Sequence, residues 1–242
     1  MATLEQWKGF AGHVHAAAAQ MARSINLPLT DETHIYGAAL LARTISNFQS
    51  VLSLLEVRQI IEAQLVMRAC LENLFFAALL AKERTNFISE MQRADQSARK
   101  AEGEFMISRR IGDSAENAEL RQFLKTIERT SGRPEPKGVA SRGALVNAYI
   151  LYAQASRKAA HPTITSLDRQ FVETATGRTF MIVSPVDPED EIETIEFACH
   201  GLLGTCYSVS EILGGTRVAP AIRALADEIR TLNDTTKEAP PQ

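Results

Sequence analysis

Two short patterns in the chain combine residue types that can do chemistry. The first is Arg68-x-x-x-Glu72, a guanidinium and a carboxylate one helical turn apart. On an isolated helix the stabilising order at this spacing places acid before base; here the base comes first, so local helix support is a weak reason for the pair. Two readings remain. The side chains satisfy each other or polar groups of neighbouring helices and fix the packing, or they line a pocket in which the guanidinium faces an anion. The second pattern is Tyr152-x-x-x-Ser156-x-x-x-x-His161. Tyr152 and Ser156 share a helix face, and His161 follows at the helix end, where the dipole favours an imidazolium. Arg157 stands four residues before His161. Such a cluster can hold a phosphate or carboxylate, or supply a general base. Its structural alternative is a tyrosine anchoring the core and a histidine capping the last carbonyls.

The elements that must position these residues are helices. Arg68 and Glu72 sit inside IIEAQLVMRACLENLFFAALLA (60–81), which is apolar on nearly every face. A helix of that kind belongs at the centre of a domain, and charges in it must be compensated. Before it, apolar spacing predicts a helix over about 4–25 and a second from an N-cap at Thr30 to about 55. The break between second and third helices is weakly marked, and a tight turn near Val57-Arg58 is expected, with one long bent helix as the alternative. Further helices are expected over about 85–107, 115–128 (capped by Asp113 or Ser114) and 141–160, the last stopped by His161-Pro162. The stretch TSGRPEPKG (130–138) reads as a loop. QFVETATGRTFMIV (170–183) reads as a β-hairpin turning at Ala175-Thr176-Gly177, expected to lie against the helices because an isolated hairpin is marginal. Asp187-Pro188 followed by acids starts a helix that ends at Gly214-Gly215, and a last helix spans about 220–232. The expectation is an all-α bundle of about eight helices with one small hairpin: a single domain over 1–234 and a disordered tail over 235–242.

Composition narrows the function classes. With 242 residues, 45% hydrophobic and 23% charged, the chain can bury a substantial core. A net charge of −3 gives no general attraction for nucleic acid or anionic membranes. Three cysteines in apolar helical surroundings argue against a disulfide framework and for a reducing compartment. The first residues lack the signal-peptide pattern, and Glu62, Arg68 and Glu72 make 60–81 a poor membrane span. A cytoplasmic protein is expected. His13-x-His15 places its rings on different helix sides, and Cys199, His200 and Cys206 lack zinc spacing, so no metal and no cofactor are assigned. The basic stretch containing Arg93, Arg99, Lys100, Arg109 and Arg110 is interleaved with acids, as in a solvated face.

The run Ala63 to Glu72 (AQLVMRACLE), joined to Tyr152, Ser156 and His161-Pro162, resembles a family of bacterial helical proteins catalogued as a domain of unknown function. That resemblance implies that the two clusters meet in the fold. A looser likeness is to the HEPN superfamily of helical nucleotide-binding and RNA-cleaving proteins, which carry an arginine and a histidine as the active pair. It implies a metal-independent endoribonuclease of a toxin or defence system. In it His161 activates a ribose hydroxyl, Arg157 or Arg68 stabilises phosphate charge, and a homodimer frames the site. Three functions stand open: a polar site of Arg68, Glu72, Tyr152, Ser156 and His161 for a small anionic ligand; a ribonuclease acting on RNA; and an interaction protein whose polar cluster only fixes packing.

Overall fold

The computed structural model describes residues 2–26, 30–127 and 134–237. Among the described residues there are ten α-helices and a two-stranded antiparallel hairpin, close to the bundle expected from the sequence. Helix α1 (Leu4–Ser24) opens on a capping box between Thr3 and Gln6. Helix α2 (Glu32–Glu56) is capped by Asp31 rather than Thr30, the carboxylate accepting from the His34 backbone N–H at 3.1 Å. A turn with Arg58 at φ 61° then reverses the chain into α3 (Ile60–Glu83), so the long bent helix is excluded. Arg84, at φ 48°, separates α3 from α4 (Thr85–Ser108). Helix α5 (Ser114–Lys125) starts at Asp113, with Glu116 completing its capping box.

The region after α5 departs most from expectation. The anticipated single helix over 141–160 is three pieces. Helix α6 (Pro136–Arg142) begins on its own proline, so residues 136–138 of the expected loop are helical; residues 130–133 of that stretch lie outside the described residues. Ala144 in the left-handed region (φ 60°) then breaks the chain before α7 (Val146–Ala155). The last turn, Ser156–Ala160, is π-helical. One extra residue in a helical turn shifts the side chains that follow, and such bulges are often found where a side chain must be re-aimed. His161 is extended before Pro162, as the proline requires. A short helix, α8 (Ile164–Asp168), was not anticipated; its signal was the Thr163-x-x-Ser166 box.

Strands β1 (Phe171–Thr174) and β2 (Gly177–Phe180) pair Phe171 with Phe180 and Val172 with Thr179. The hairpin does not lie against the bundle. Nearly all its residues are exposed, Phe180 by 70%, and Arg178 of β2 reaches back to Asp168 at 3.3 Å. Helix α9 (Pro188–Ile212) starts on Asp187 and Pro188 as the sequence predicts. Helix α10 (Ala219–Lys237) continues past the expected end at 232 into the stretch read as tail; 238–242 lie outside the described residues.

The core is the packing of α3 on α9 and α2, with α1 covering α9. Two glycines of α9 bring its backbone onto α3: a Cβ on Gly201 would lie 2.9 Å from Cys70 Cβ and 3.0 Å from the Cys70 carbonyl carbon, and one on Gly204 would lie 2.6 Å from Leu74 Cδ1. Helix α3 is long and apolar enough to cross a membrane, with a window of mean hydropathy 1.4, but 61% of that window is buried within the protein. That is the position of a core helix. Its remaining partly exposed stripe faces α7 and the π-helical turn, and there the polar residues lie.

Candidate functional site

The stripe on α3 consists of Gln64, Arg68 and Glu72, each one turn from the next, and all three are met by side chains from the segment that follows α6. The Arg68 guanidinium is the hub. Its Nε donates to Ser156 Oγ at 2.7 Å, its Nη2 donates to the Tyr152 hydroxyl, and its Cζ lies 4.6 Å from the Tyr152 ring centroid. The Tyr152 hydroxyl has one proton, which it donates to Glu72 Oε2 at 3.3 Å. Arg68 Nη2 and Glu72 Oε2 are 3.7 Å apart, too far for a direct hydrogen bond. The pair is therefore joined through a phenol supplied eighty residues later.

Tyr152 is itself held between rings, with Tyr149 at 5.9 Å and Phe75 at 5.7 Å. Burial, and secondarily the charge of Glu72, push its hydroxyl above the usual tyrosine range, against the opposing pull of Arg68. It stays a neutral phenol at working pH and is no general base. Gln64, buried on the same stripe, accepts from Arg169 Nη1, and Arg169 Nη2 reaches Asp190 Oδ2 at 2.7 Å. Asp190 and Glu193 also receive Lys158, at 3.3 and 2.6 Å. Together these contacts fasten the π-helical turn and α8 to α3 and α9.

Arg68 and Glu72 are not sealed in the core. Their side chains keep 23% and 20% of their exposure and lie on the floor of a cleft of about 630 Å³. Helices α2, α3, α4 and α7 and the residues leading into α6 form its walls. Arg43 of α2 contributes an exposed guanidinium with no ion pair among the described residues, and Glu135 contributes a carboxylate. Among the described residues, Arg68 Nη1 makes no hydrogen bond. Among the described residues the site thus has unbonded guanidinium donors on two helices, a group that can pair with a carboxylate or phosphate.

Of the residues singled out in the sequence, the structure brings together Arg68, Glu72, Tyr152 and Ser156. His161 lies just past the π-helical turn and Arg157 within it; both are exposed, and among the described residues their side chains make no hydrogen bond or ion pair with those four. The His161 carbonyl accepts from Ser166 Oγ and the Thr163 backbone N–H, and the Arg157 carbonyl from Thr163 Oγ1. Arg43, Asn73 and Glu135 were missed. Nothing local marks Arg43 or Glu135, because α2 and the approach to α6 meet α3 only in the fold. Gln64 was legible as the i−4 neighbour of Arg68. His13 is exposed while His15 stacks on Phe48, and no group of three His, Cys, Asp or Glu residues among those described is placed to hold a metal ion. Burial pushes the Cys70 and Cys206 thiols up to about 12, so they act as core residues and not as nucleophiles.

Fold and site define a helical-bundle protein in which a later helical segment clamps a guanidinium on the central helix beneath an open cleft. The chain belongs to DUF5677, a family of unknown function, whose pattern matches residues 34–178. That match runs from the start of α2 into β2 and contains the whole Arg68 network. Comparison with curated proteins and with solved structures gives no match.

Proposed function

We propose that this protein binds a small anionic or phosphate-containing ligand in the cleft above Arg68. One observation carries the reading: the Arg68 guanidinium is fixed by Ser156 and Tyr152, its Nη1 makes no hydrogen bond among the described residues, and Arg68 and Arg43 line the same cleft. Pre-orientation of a guanidinium removes part of the entropy that a free arginine loses on binding. Glu72 and Glu135 keep the net charge of the site low, so selectivity rests on directed donors more than on a positive field. Arg157 and His161 stand outside this reading because neither side chain joins the network.

The test is calorimetric titration of the wild-type protein with inorganic phosphate, phosphate esters and carboxylates, repeated on Arg43→Ala and Arg68→Lys. A lysine cannot reproduce the two-sided grip of Ser156 and Tyr152. Each charged hydrogen bond lost costs about 1.5–3 kcal/mol, so affinity should fall roughly tenfold to a hundredfold in either variant. Absence of anion binding by the wild type, or binding indifferent to both arginines, overturns the proposal.

A further inference from the structure

The cleft is larger and less polar than a bare anion needs. At about 630 Å³ it has the size of sites for organic molecules, which run to ~300–1,000 Å³. Besides its charged groups it is walled by Leu40, Phe76, Met91 and the rings of Pro134 and Pro136. Phe76 and Met91 are only partly buried, so each has apolar surface left to cover.

Asn73 is a second and independent mark. It lines the same cleft, is only 9% exposed, and its amide nitrogen is buried with no acceptor among the described residues. A buried donor without a partner destabilises a fold, and leucine is the better helix former at such a position. A donor kept there calls for an acceptor that arrives with something else.

Resting on the anion-site reading above, we infer that the ligand is a ring-bearing phosphate ester or carboxylic acid. Its anionic group sits on Arg68 and Arg43, its ring lies against Phe76 and Met91, and an acceptor on the ring takes the Asn73 amide N–H. Asn73 is then the residue that separates ligands of equal charge and size. A site built to hydrogen-bond a group discriminates against analogues lacking it far more strongly than an apolar wall discriminates by size.

Calorimetry on the full chain tests this with inorganic phosphate, phenyl phosphate, 3- and 4-acetylphenyl phosphate and the corresponding acetylbenzoates. Phenyl phosphate should bind at least about tenfold tighter than inorganic phosphate, and an acetyl-bearing probe about tenfold tighter again. The phosphate and benzoate arms show which anionic group is preferred. In Asn73→Leu the acetyl-bearing probes should fall to the level of their unsubstituted parents. The unliganded variant should melt higher than wild type by roughly 2–4 °C, because the orphaned donor is gone. Asn73→Ala provides the same ligand comparison if the leucine does not pack. Equal binding of inorganic and phenyl phosphate, or an acetyl gain that survives in both variants, overturns this inference and leaves the anion site standing. Failure of every probe to respond to Arg68 and Arg43 overturns the site reading itself.

Discussion

Replacing Arg68 with methionine, alone and together with Tyr152→Phe, asks whether the guanidinium really clamps the later helical segment to the core. Methionine keeps the apolar stem but removes the donation to Ser156 at 2.7 Å, the donation to the Tyr152 hydroxyl and the stacking at 4.6 Å. Two charged hydrogen bonds at about 1.5–3 kcal/mol each would set an upper limit near 6 kcal/mol if the group were fully buried. With 23% of the Arg68 side chain exposed, water replaces part of this, and about 2–3 kcal/mol is the expected loss. Tyr152→Phe removes only the hydroxyl that joins Arg68 to Glu72 and should cost about 1–2 kcal/mol. The two variants share one hydrogen bond, so the double variant should fall short of the sum by about 1 kcal/mol. Urea unfolding followed by circular dichroism measures all three losses, and the Arg68→Met melting temperature should drop by roughly 5–10 °C. Strict additivity would refute the bridged geometry. An Arg68→Met protein as stable as wild type would show that the guanidinium is not part of the fold's support.

The Tyr152 hydroxyl, raised mainly by burial and also by the Glu72 charge, also sets a pH expectation. A raised value favours the neutral phenol in the folded state, so its contribution is complete below the ordinary tyrosine value of about 10 and fades as pH rises through the folded value. The stability difference between wild type and Tyr152→Phe should be flat from about pH 6 to 9 and shrink only above about 10; a change near neutrality contradicts the assignment. Gly201→Ala would set a Cβ 2.9 Å from Cys70 Cβ and 3.0 Å from its carbonyl carbon, so α9 must move off α3. Overpacking of about 1–3 kcal/mol, offset by up to ~1 kcal/mol of helix propensity, predicts a net loss of about 1–2 kcal/mol in thermal melts. An unchanged melting temperature would show that the helices do not cross there. His161→Ala should leave anion affinity within about twofold, below the 0.5–1.5 kcal/mol of a typical hydrogen bond. RNA cleavage by the wild type that this variant abolishes would instead favour the ribonuclease reading.

Much of the fold was legible because its signals are local. The Asp113 and Asp187 caps, Pro188 at a helix start, the glycine pair after Ile212 and the proline after His161 each act within a few residues, and each holds in the structure. The apolar run around Arg68 marked the core helix for the same reason: burial on all sides leaves few positions for polar groups. What failed were features decided by distant neighbours. Ala144 takes a left-handed turn and Ser156–Ala160 a π-helical one in the segment that brings Tyr152 and Ser156 onto Arg68 and meets α9 through Lys158. Helical spacing alone read that stretch as one continuous helix. Likewise the sequence marked Arg68 and Glu72 as charges needing compensation and offered Tyr152 and Ser156 as company, but it grouped His161 with them by proximity in the chain. The π-helical turn leaves that histidine exposed, outside the network. Arg43, Asn73 and Glu135 come from three separate stretches of the chain, so only the packing of α2, α3 and the approach to α6 gathers them around one cleft. The need for compensation was written in the chain; the identity of the compensating groups depended on which helices pass within hydrogen-bond reach.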